Sequence, residues 1–142
     1  MQNKLGVIKA FSLIEIMVVI VIISILTSLA AVSYRSYIVK ARRTAVQEEL
    51  MGLQQKMEEY YSLNHTYASG KACPNDVFVW GGVASSGFYN ISCNLTSGYV
   101  LSAVPIGTQA KDDSECKYMS LFRNGTRKGG SSESSSQVNV CW

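Results

Sequence analysis

Histidine, a common metal-binding and catalytic residue, is almost absent from this chain of 142 residues. His65 is the only one, and none of the four cysteines belongs to a Cys-x-x-Cys motif. A zinc site of cysteine and histidine is therefore not expected. His65 has no cysteine or serine with an acid at a spacing typical of nucleophilic catalysis. We expect His65 to be a loop residue and the protein to have no enzyme activity, metal or cofactor.

Charge is missing from the long segment between Glu15 and Arg35. Its nineteen residues, 16–34, are mostly Ile, Val, Leu, Met and Ala. Together with residues 11–14, this segment can span about 30 Å as a helix at about 1.5 Å per residue, which matches the hydrocarbon core of a bilayer. The absence of charge over this length predicts a transmembrane helix at residues 11–34.

Glu15 stands just inside the amino end of the apolar segment. An ionisable side chain in a membrane-spanning helix costs on the order of 3 kcal/mol, so such a residue usually has a function and a partner. The alternative is an interfacial Glu whose carboxylate reaches the lipid headgroups. Glu15 by itself leaves both interpretations open.

A short polar leader, residues 1–10, precedes the apolar segment and contains Lys4 and Lys9. Positive residues stay on the cytoplasmic side of the membrane, so the carboxy-terminal part is expected to be exported. An ordinary secretory signal has its small-residue cleavage site after the apolar region, and the only plausible one here lies at residues 30–33. Cleavage there would release a soluble periplasmic protein, which is one alternative.

The leader, the apolar segment and Glu15 together resemble the amino terminus of the type IV pilin family. In that family a prepilin peptidase cuts just before a Phe and methylates its amino group, and the fifth residue of the mature chain is Glu. The resemblance implies cleavage between Ala10 and Phe11, N-methylation of Phe11, and a charge-pairing role for Glu15 during assembly. Gly6 offers a competing register that loses the Glu alignment. Ala10 departs from the Gly that the family usually has before the cut.

Two further departures from the family affect the helix. Ser24 replaces a small helix-loosening Gly, and Val32 replaces the Pro that usually precedes Ser-Tyr. Without these residues the chain has less reason to kink or to melt. We therefore expect a more continuous helix than in a major pilin subunit.

All four cysteines follow the membrane segment. An even number confined to the exported part predicts two disulfides in an oxidising periplasm. Three connectivities are possible, and we favour the sequential one, Cys73–Cys93 and Cys116–Cys141. This choice depends chiefly on the second pair, which resembles the disulfide that closes the carboxy-terminal region of many pilins.

A helical pattern continues beyond the membrane segment, over residues 35–63. Apolar residues follow helical spacing in two neighbouring rows. One row is Tyr34, Ile38, Ala41 and Ala45, and the other is Val46, Leu50, Leu53, Met57 and Tyr60. This amphipathic helix is expected to end near Asn64, where breakers begin.

The remaining sequence predicts a long loop and then a sheet. Residues 64–87 have the composition of a connection, with an apolar patch at 77–80. Strand-like segments follow at residues 88–93, 99–104, 117–123 and 138–141, Asn124-Gly125 is a hairpin signal, and residues 129–136 form a polar stretch. The expected fold class is α+β, with a long amino-terminal helix packed on an antiparallel sheet. The exported head would comprise residues 35–142, with the sheet and the disulfide-closed region in 88–142.

Several short elements of the head resemble minor pilins of the PilE type, although each is weak by itself. They are Tyr34-x-x-Tyr37, Glu59-Tyr60-Tyr61, Gly98-Tyr99 and Cys141-Trp142. The resemblance implies a minor pilus subunit that helps to initiate assembly or acts in display at the tip, for adhesion, twitching motility or DNA uptake. The amino-terminal part alone would also fit major pilins and the pseudopilins of type II secretion.

The resemblance also implies partners and compartments. The expected partners are other major and minor pilins, prepilin peptidase, the inner-membrane assembly platform, and membrane lipid before assembly. The head would lie in the periplasm while the helix is in the bacterial inner membrane, and on the outside of the cell once the pilus is assembled.

The charge of the mature chain is nearly balanced. Without Lys4 and Lys9 the chain has 11 basic and 10 acidic residues, which implies no strong electrostatic partner. Two basic runs nevertheless stand out, one at Lys40, Arg42 and Arg43, the other at Arg123, Arg127 and Lys128. DNA-binding pilins that resemble this chain exist, so that Arg123, Arg127 and Lys128 are candidate DNA contacts. The alternative is an ordinary solvated surface.

Overall fold

The computed structural model describes residues 11–68, 72–74, 77, 82–95, 98–133 and 138–142. The expected leader with Ala10 and the apolar residues 78–80 lie outside the described residues. The chain divides into two units, Met1–Tyr37 and Ile38–Trp142. The elements are α1 (Leu13–Asn64), β1 (Tyr89–Asn94), β2 (Val100–Pro105), α2 (Gly107–Asp112), β3 (Tyr118–Phe122), β4 (Arg127–Gly130) and α3 (Val138–Cys141).

The described part of the first unit consists chiefly of the apolar part of α1. Its most apolar window of 18 residues has a mean hydropathy of 2.7, and none of that window is buried within the structure, so α1 is long and apolar enough to cross a membrane. The hydroxyls of Ser24 and Thr27 donate to the carbonyls of the residues four positions earlier, at 2.6 and 2.7 Å. These bonds satisfy the polar groups inside the helix. The assigned helix has no break at Ser24 or Val32, as expected.

The carboxy-terminal end of α1 is formed at Asn64, where the sequence predicted it. The Asn64 side-chain amide donates to the Tyr60 carbonyl at 3.0 Å, and the His65 amide donates to the Tyr61 carbonyl at 2.8 Å. His65 has a φ of 54° and so adopts the left-handed conformation that commonly ends helices. His65 is an exposed residue at the start of the loop.

The second unit has one hydrophobic core between the rest of α1 and the sheet. Val46, Leu50, Leu53 and Met57 are at most 3 % exposed, which confirms the predicted buried row of the helix. For the other predicted row, the prediction of an apolar face against the head is wrong at Ala41 and Ala45, which are both exposed. The sheet contributes its inward side chains to the same core: Tyr89, Ile91, Leu101, Ala103, Met119 and Leu121.

The four strands form one antiparallel sheet in the order β1-β2-β3-β4. Leu101 of β2 is opposite Leu121 of β3, and Ala103 is opposite Met119, so the apolar residues of neighbouring strands lie on the same face. A long helix packed on an antiparallel sheet confirms the predicted α+β class and the type IV pilin fold.

Two predicted segments of the sheet are wrong. Val138–Cys141 is a single helical turn, because its carbonyls bind side chains of α1: Val140 accepts from Arg43 and Cys141 accepts from Gln47, both at 2.6 Å. The fourth strand is instead Arg127–Gly130, which overlaps the predicted polar stretch. A Cβ on Gly129 would lie 2.7 Å from the Cys141 Cβ, so glycine permits the close approach of α3 to β4.

Two disulfides link the described cysteines. Cys116 and Cys141 are joined with their Cα atoms 5.5 Å apart, which confirms the pairing predicted for the carboxy-terminal region. A second disulfide connects Cys73 to Cys93, with a Cα separation of 6.3 Å. The first one attaches α3 to the segment ahead of β3, and the second one attaches the long loop to β1.

Candidate nucleic-acid interface

The turn between β3 and β4 brings three cationic residues together. The Gly125 amide donates to the Phe122 carbonyl, and the Phe122 amide donates to the Thr126 carbonyl, both at 2.9 Å. Gly125 has a φ of 79°, which favours glycine at this position. The Asn124-Gly125 signal therefore forms the predicted hairpin turn. We call residues 123–128 the basic hairpin, because Arg123, Arg127 and Lys128 all lie in it.

The Arg123 guanidinium lies beside two tyrosine rings. Its central carbon is 5.1 Å from the centre of the Tyr67 ring and 6.0 Å from that of Tyr61. The two rings stack on each other with a separation of 4.4 Å. A cation at this range from an aromatic face is attracted by the ring quadrupole.

The backbone and the arm of Arg123 are also held. Its amide donates to the Tyr99 carbonyl at 3.2 Å, and its carbonyl accepts from the Gln54 side chain at 3.3 Å. Gly98 has a φ of 110°, and a Cβ there would lie 2.9 Å from the Arg123 Cδ. Gly98 thus makes room for the arm of Arg123 and provides a backbone conformation that other residues rarely adopt.

A single carboxylate fixes the tyrosines under Arg123. The hydroxyls of Tyr67 and Tyr99 both donate to Glu58, at 2.9 and 2.8 Å. Burial, followed by the hydrogen bond to Glu58, raises the pKa of both tyrosines. The two phenols are therefore neutral donors, and the negative charge of this cluster is that of the Glu58 carboxylate.

The other two cations of the basic hairpin also contact aromatic rings. The Arg127 guanidinium is 5.2 Å from the Trp142 ring, and the Lys128 ammonium is 5.0 Å from the Phe122 ring. The Trp142 indole N–H donates to the Lys128 carbonyl at 2.8 Å, which fixes its ring against β4. Because consecutive residues of a strand point to opposite faces, Arg127 and Lys128 present charge on both sides of the hairpin.

None of these three cations forms an ion pair with a described carboxylate within 4.0 Å. The one ion pair between described residues joins Arg43 to Asp113. The two arginines of the first basic run have different partners. Arg43 forms this ion pair, and the central guanidinium carbon of Arg42 lies 3.7 Å from the centre of the Phe88 ring. Sequence reasoning found the cations of the hairpin but missed their aromatic partners. Those of Arg123 and Arg127 come from other elements, whereas Phe122 lies in the strand that pairs with Lys128.

The residues predicted for processing and assembly lie at the start of α1. Phe11 is 76 % exposed and precedes the helix, whereas Ala10 lies outside the described residues. Glu15 is exposed in the first turn, where its amide donates to the Ser12 carbonyl at 3.1 Å. Its carboxylate forms no ion pair with any described residue. The part of the chain that the structure describes contains no group of three or more His, Cys, Asp or Glu side chains that could hold a metal ion.

Comparison with known families gives two matches that together cover residues 8–120. A model described as type IV minor pilin ComP, DNA uptake sequence receptor, matches residues 32–120. A model of the prokaryotic N-terminal methylation motif matches residues 8–31. No curated protein matches the chain. The first match includes most of the sheet and the tyrosines beside Arg123, and the second includes Phe11 and Glu15.

Proposed function

This chain belongs to the family of the type IV minor pilin ComP, and from this membership we propose that its head binds DNA. The basic hairpin lies just beyond the matched residues 32–120, and we propose it as the contact because of the geometry of its own cations. The expectation of a type IV minor pilin, a structural subunit, is confirmed. The short sequence elements resemble minor pilins of the PilE type, whereas the matched family is described as a DNA uptake sequence receptor. A DNA-binding pilin was among the alternatives that the sequence left open.

The observation that carries the proposal is the arrangement of Arg123, Arg127 and Lys128. Each contacts an aromatic ring, and none is neutralised by a described carboxylate. Cations bind phosphates and release counterions, and Tyr61, the exposed one of the two rings beside Arg123, offers a surface for a base. Arg123 is held by its backbone hydrogen bonds and its ring contacts, so DNA binding would order it at little further cost in entropy.

We further propose that the amino terminus serves assembly. Prepilin peptidase would cut between Ala10 and Phe11 and methylate the Phe11 amine, and the apolar helix would remain with the mature subunit. The match to the methylation motif and the uncovered apolar side chains of α1 support this proposal. Glu15 would then pair with the amine of a neighbouring pilin, because a charge inside the packed helices of a fibre needs a partner.

This assembly proposal also defines partners and locations. Before assembly, the helix would lie in lipid of the inner membrane, with the head in the periplasm and the assembly platform as a partner. After assembly, the head would be displayed on an extracellular pilus among major and minor pilins. The basic hairpin would be accessible to DNA from outside the cell.

A band-shift experiment with duplex DNA tests the DNA proposal. The mature chain in lipid nanodiscs should retard the duplex at low salt, and retardation should decrease steeply as salt rises. The double variant Arg127→Glu, Lys128→Glu should weaken binding strongly. The matched control is Lys111→Glu, Lys117→Glu, which makes the same charge change on α2 and ahead of β3. Equal weakening in both variants, or no retardation by the unchanged protein, would contradict the proposal.

A further inference from the structure

The face of the sheet that points away from the core carries a groove of about 450 Å³. It crosses all four strands. Its lining combines hydroxyl, amide, aromatic and charged side chains: Ser92, Asn94, Val100, Ser102, Tyr118, Ser120, Phe122, Lys128 and Glu133. Only Lys128 also belongs to the basic hairpin. A pocket of this size with convergent polar groups is a candidate ligand site.

The strand register explains why the groove exists. Ser92, Ser102 and Ser120 are direct cross-strand partners, and Ser120 is in turn opposite Lys128. These small residues form a low floor. Phe122 lies two residues beyond Ser120 on the same face of β3, and Tyr118 lies two residues before it, so that two large rings stand as walls on either side.

Ser120 is the most buried of the three serines in this floor. Ser120 is 1 % exposed and lines the groove, yet its side-chain hydroxyl makes no hydrogen bond to any residue that the structure describes. Its neighbour Ser102 bonds to the Tyr118 hydroxyl at 2.8 Å. The Ser120 hydroxyl is therefore available to a ligand in the groove.

The charges of the groove define the class of ligand. Lys128 contributes one positive charge and Glu133 one negative charge, and the Glu133 carboxylate lies 3.4 Å from the Tyr118 hydroxyl. This balance disfavours a polyanion such as DNA, whose phosphates Glu133 would repel. Hydroxyl groups both donate and accept hydrogen bonds, so a floor of serines suits a ligand that itself carries many hydroxyls. The rings of Tyr118 and Phe122 suit the apolar faces of sugar rings.

We propose that this groove binds a neutral oligosaccharide, which is a function beyond the binding of DNA. The sugar rings lie along the row of serines, between the Tyr118 and Phe122 rings. The Ser120 hydroxyl bonds to a sugar hydroxyl, and Glu133 and Lys128 accept and donate at opposite sides. The Ser120 hydroxyl then has a partner, and Arg123 and Arg127, which do not line the groove, remain exposed to DNA.

The test measures sugar binding by saturation-transfer NMR with the mature chain in lipid nanodiscs, which contain no sugar headgroups. The probes are maltotriose, cellotriose, laminaritriose and chitotriose at millimolar concentration. The variant Ser92→Trp fills the groove from an exposed position of β1. The matched control Ser62→Trp adds the same side chain on the exposed face of α1. Ser120→Ala removes the Ser120 hydroxyl with little change in volume.

At least one of the four sugars should bind saturably to the unchanged protein and to Ser62→Trp, and binding should be abolished in Ser92→Trp. Ser120→Ala should weaken it about fivefold, the effect of one hydrogen bond. Absence of binding by all four sugars, or equal binding to Ser92→Trp, would overturn the proposal. It would also be overturned if a thymidine oligonucleotide, and no sugar, bound in a way that Ser92→Trp abolishes.

Discussion

The Arg43 guanidinium donates two hydrogen bonds to the Asp113 carboxylate, at 2.7 and 3.2 Å. Asp113 also accepts from the Cys116 amide and from the Gln109 side chain, both at 3.1 Å. Arg43 donates in addition to the Val140 carbonyl. Through this pair, α1 is attached to both ends of the region that the Cys116–Cys141 disulfide closes.

Replacement of Asp113 by Ala is expected to destabilise the head strongly. Removal of one partner of a buried pair leaves the other charge unpaired, which costs on the order of 3 kcal/mol. Both side chains are largely buried, with 12 % of Arg43 and 1 % of Asp113 exposed, so solvent screening is weak. Denaturant unfolding of the soluble head measures the effect. The exposed neighbour Asp112 provides the control, and equal stability of Asp112→Ala and Asp113→Ala would contradict this role.

The disulfide of the same region is expected to contribute stability of similar size. Cys116 and Cys141 are 25 residues apart, and the chain-entropy model gives about 3 kcal/mol for a loop of this length. Replacement of both by Ser should lower the melting temperature and increase proteolysis within residues 129–136. An unchanged melting temperature would count against this contribution. Peptide mapping of the unchanged protein should link Cys73 to Cys93, and a link from Cys73 to Cys116 or Cys141 would contradict the pairing.

Two buried tyrosines predict a decrease in stability at alkaline pH. Burial and the nearby Asp113 raise the pKa of Tyr89 to about 12, and burial and Glu58 also raise the pKa of Tyr99. The unfolded chain releases these protons near pH 10. The folded protein keeps these protons to a higher pH than the unfolded chain does. The contribution of the two tyrosines to the free energy of unfolding is therefore complete below about pH 10 and is lost as pH rises towards about 12.

The free energy of unfolding, measured from neutral to alkaline pH, checks this prediction. Tyr89→Phe should reduce the alkaline decline, because the group that the folded state keeps protonated has been removed. Tyr61→Phe, with a ring that is 38 % exposed, serves as the control and should retain the decline. Phenolate absorbance should show that Tyr89 and Tyr99 ionise late. A decline of the same steepness in Tyr89→Phe would contradict the role of Tyr89.

The main helix and the fold class were predictable because periodicity is a local property of the sequence. The row from Val46 to Met57 follows helical spacing, and the same row is buried. The same kind of reasoning gave a wrong prediction for Val138–Cys141. Its alternating pattern predicts a strand, but Arg43 and Gln47 bind its carbonyls, and no local pattern reveals side chains nearly a hundred residues away.

Only the charged residues of the candidate site could be predicted from the sequence. The sequence places Arg123, Arg127 and Lys128 around a turn, and the Asn-Gly pair fixes that turn. The rings beside Arg123 and Arg127 come from α1, from the loop after it and from Trp142, so tertiary packing brings them together. Only Phe122, beside Lys128, belongs to the hairpin strands themselves. The sequence also suggested that Arg43 belongs to a basic run on the surface. In the structure Arg43 is largely buried and paired with Asp113.

Glu15→Ala tests the assembly proposal. After cleavage before Phe11, its amine and the Glu15 carboxylate lie about one helical turn apart, and each needs an opposite charge on a neighbouring subunit. The variant should be exported, cleaved and folded in the head but largely absent from sheared pili. Glu15→Asp, with a shorter reach, should be partly defective. Recovery of Glu15→Ala in pili at the wild-type proportion would support the headgroup interpretation of Glu15 instead.

The salt dependence of DNA binding tests the role of the basic hairpin most directly. For the unchanged mature chain, the logarithm of the binding constant should fall linearly with the logarithm of salt concentration. Replacement of Arg123, Arg127 and Lys128 by Gln should reduce the magnitude of the slope by about 2.7, or about 0.9 for each phosphate that is no longer neutralised. The matched variant with Lys40, Lys111 and Lys117 replaced by Gln should keep the slope. Equal slopes for the unchanged protein and the hairpin variant would contradict the assignment of DNA binding to the basic hairpin.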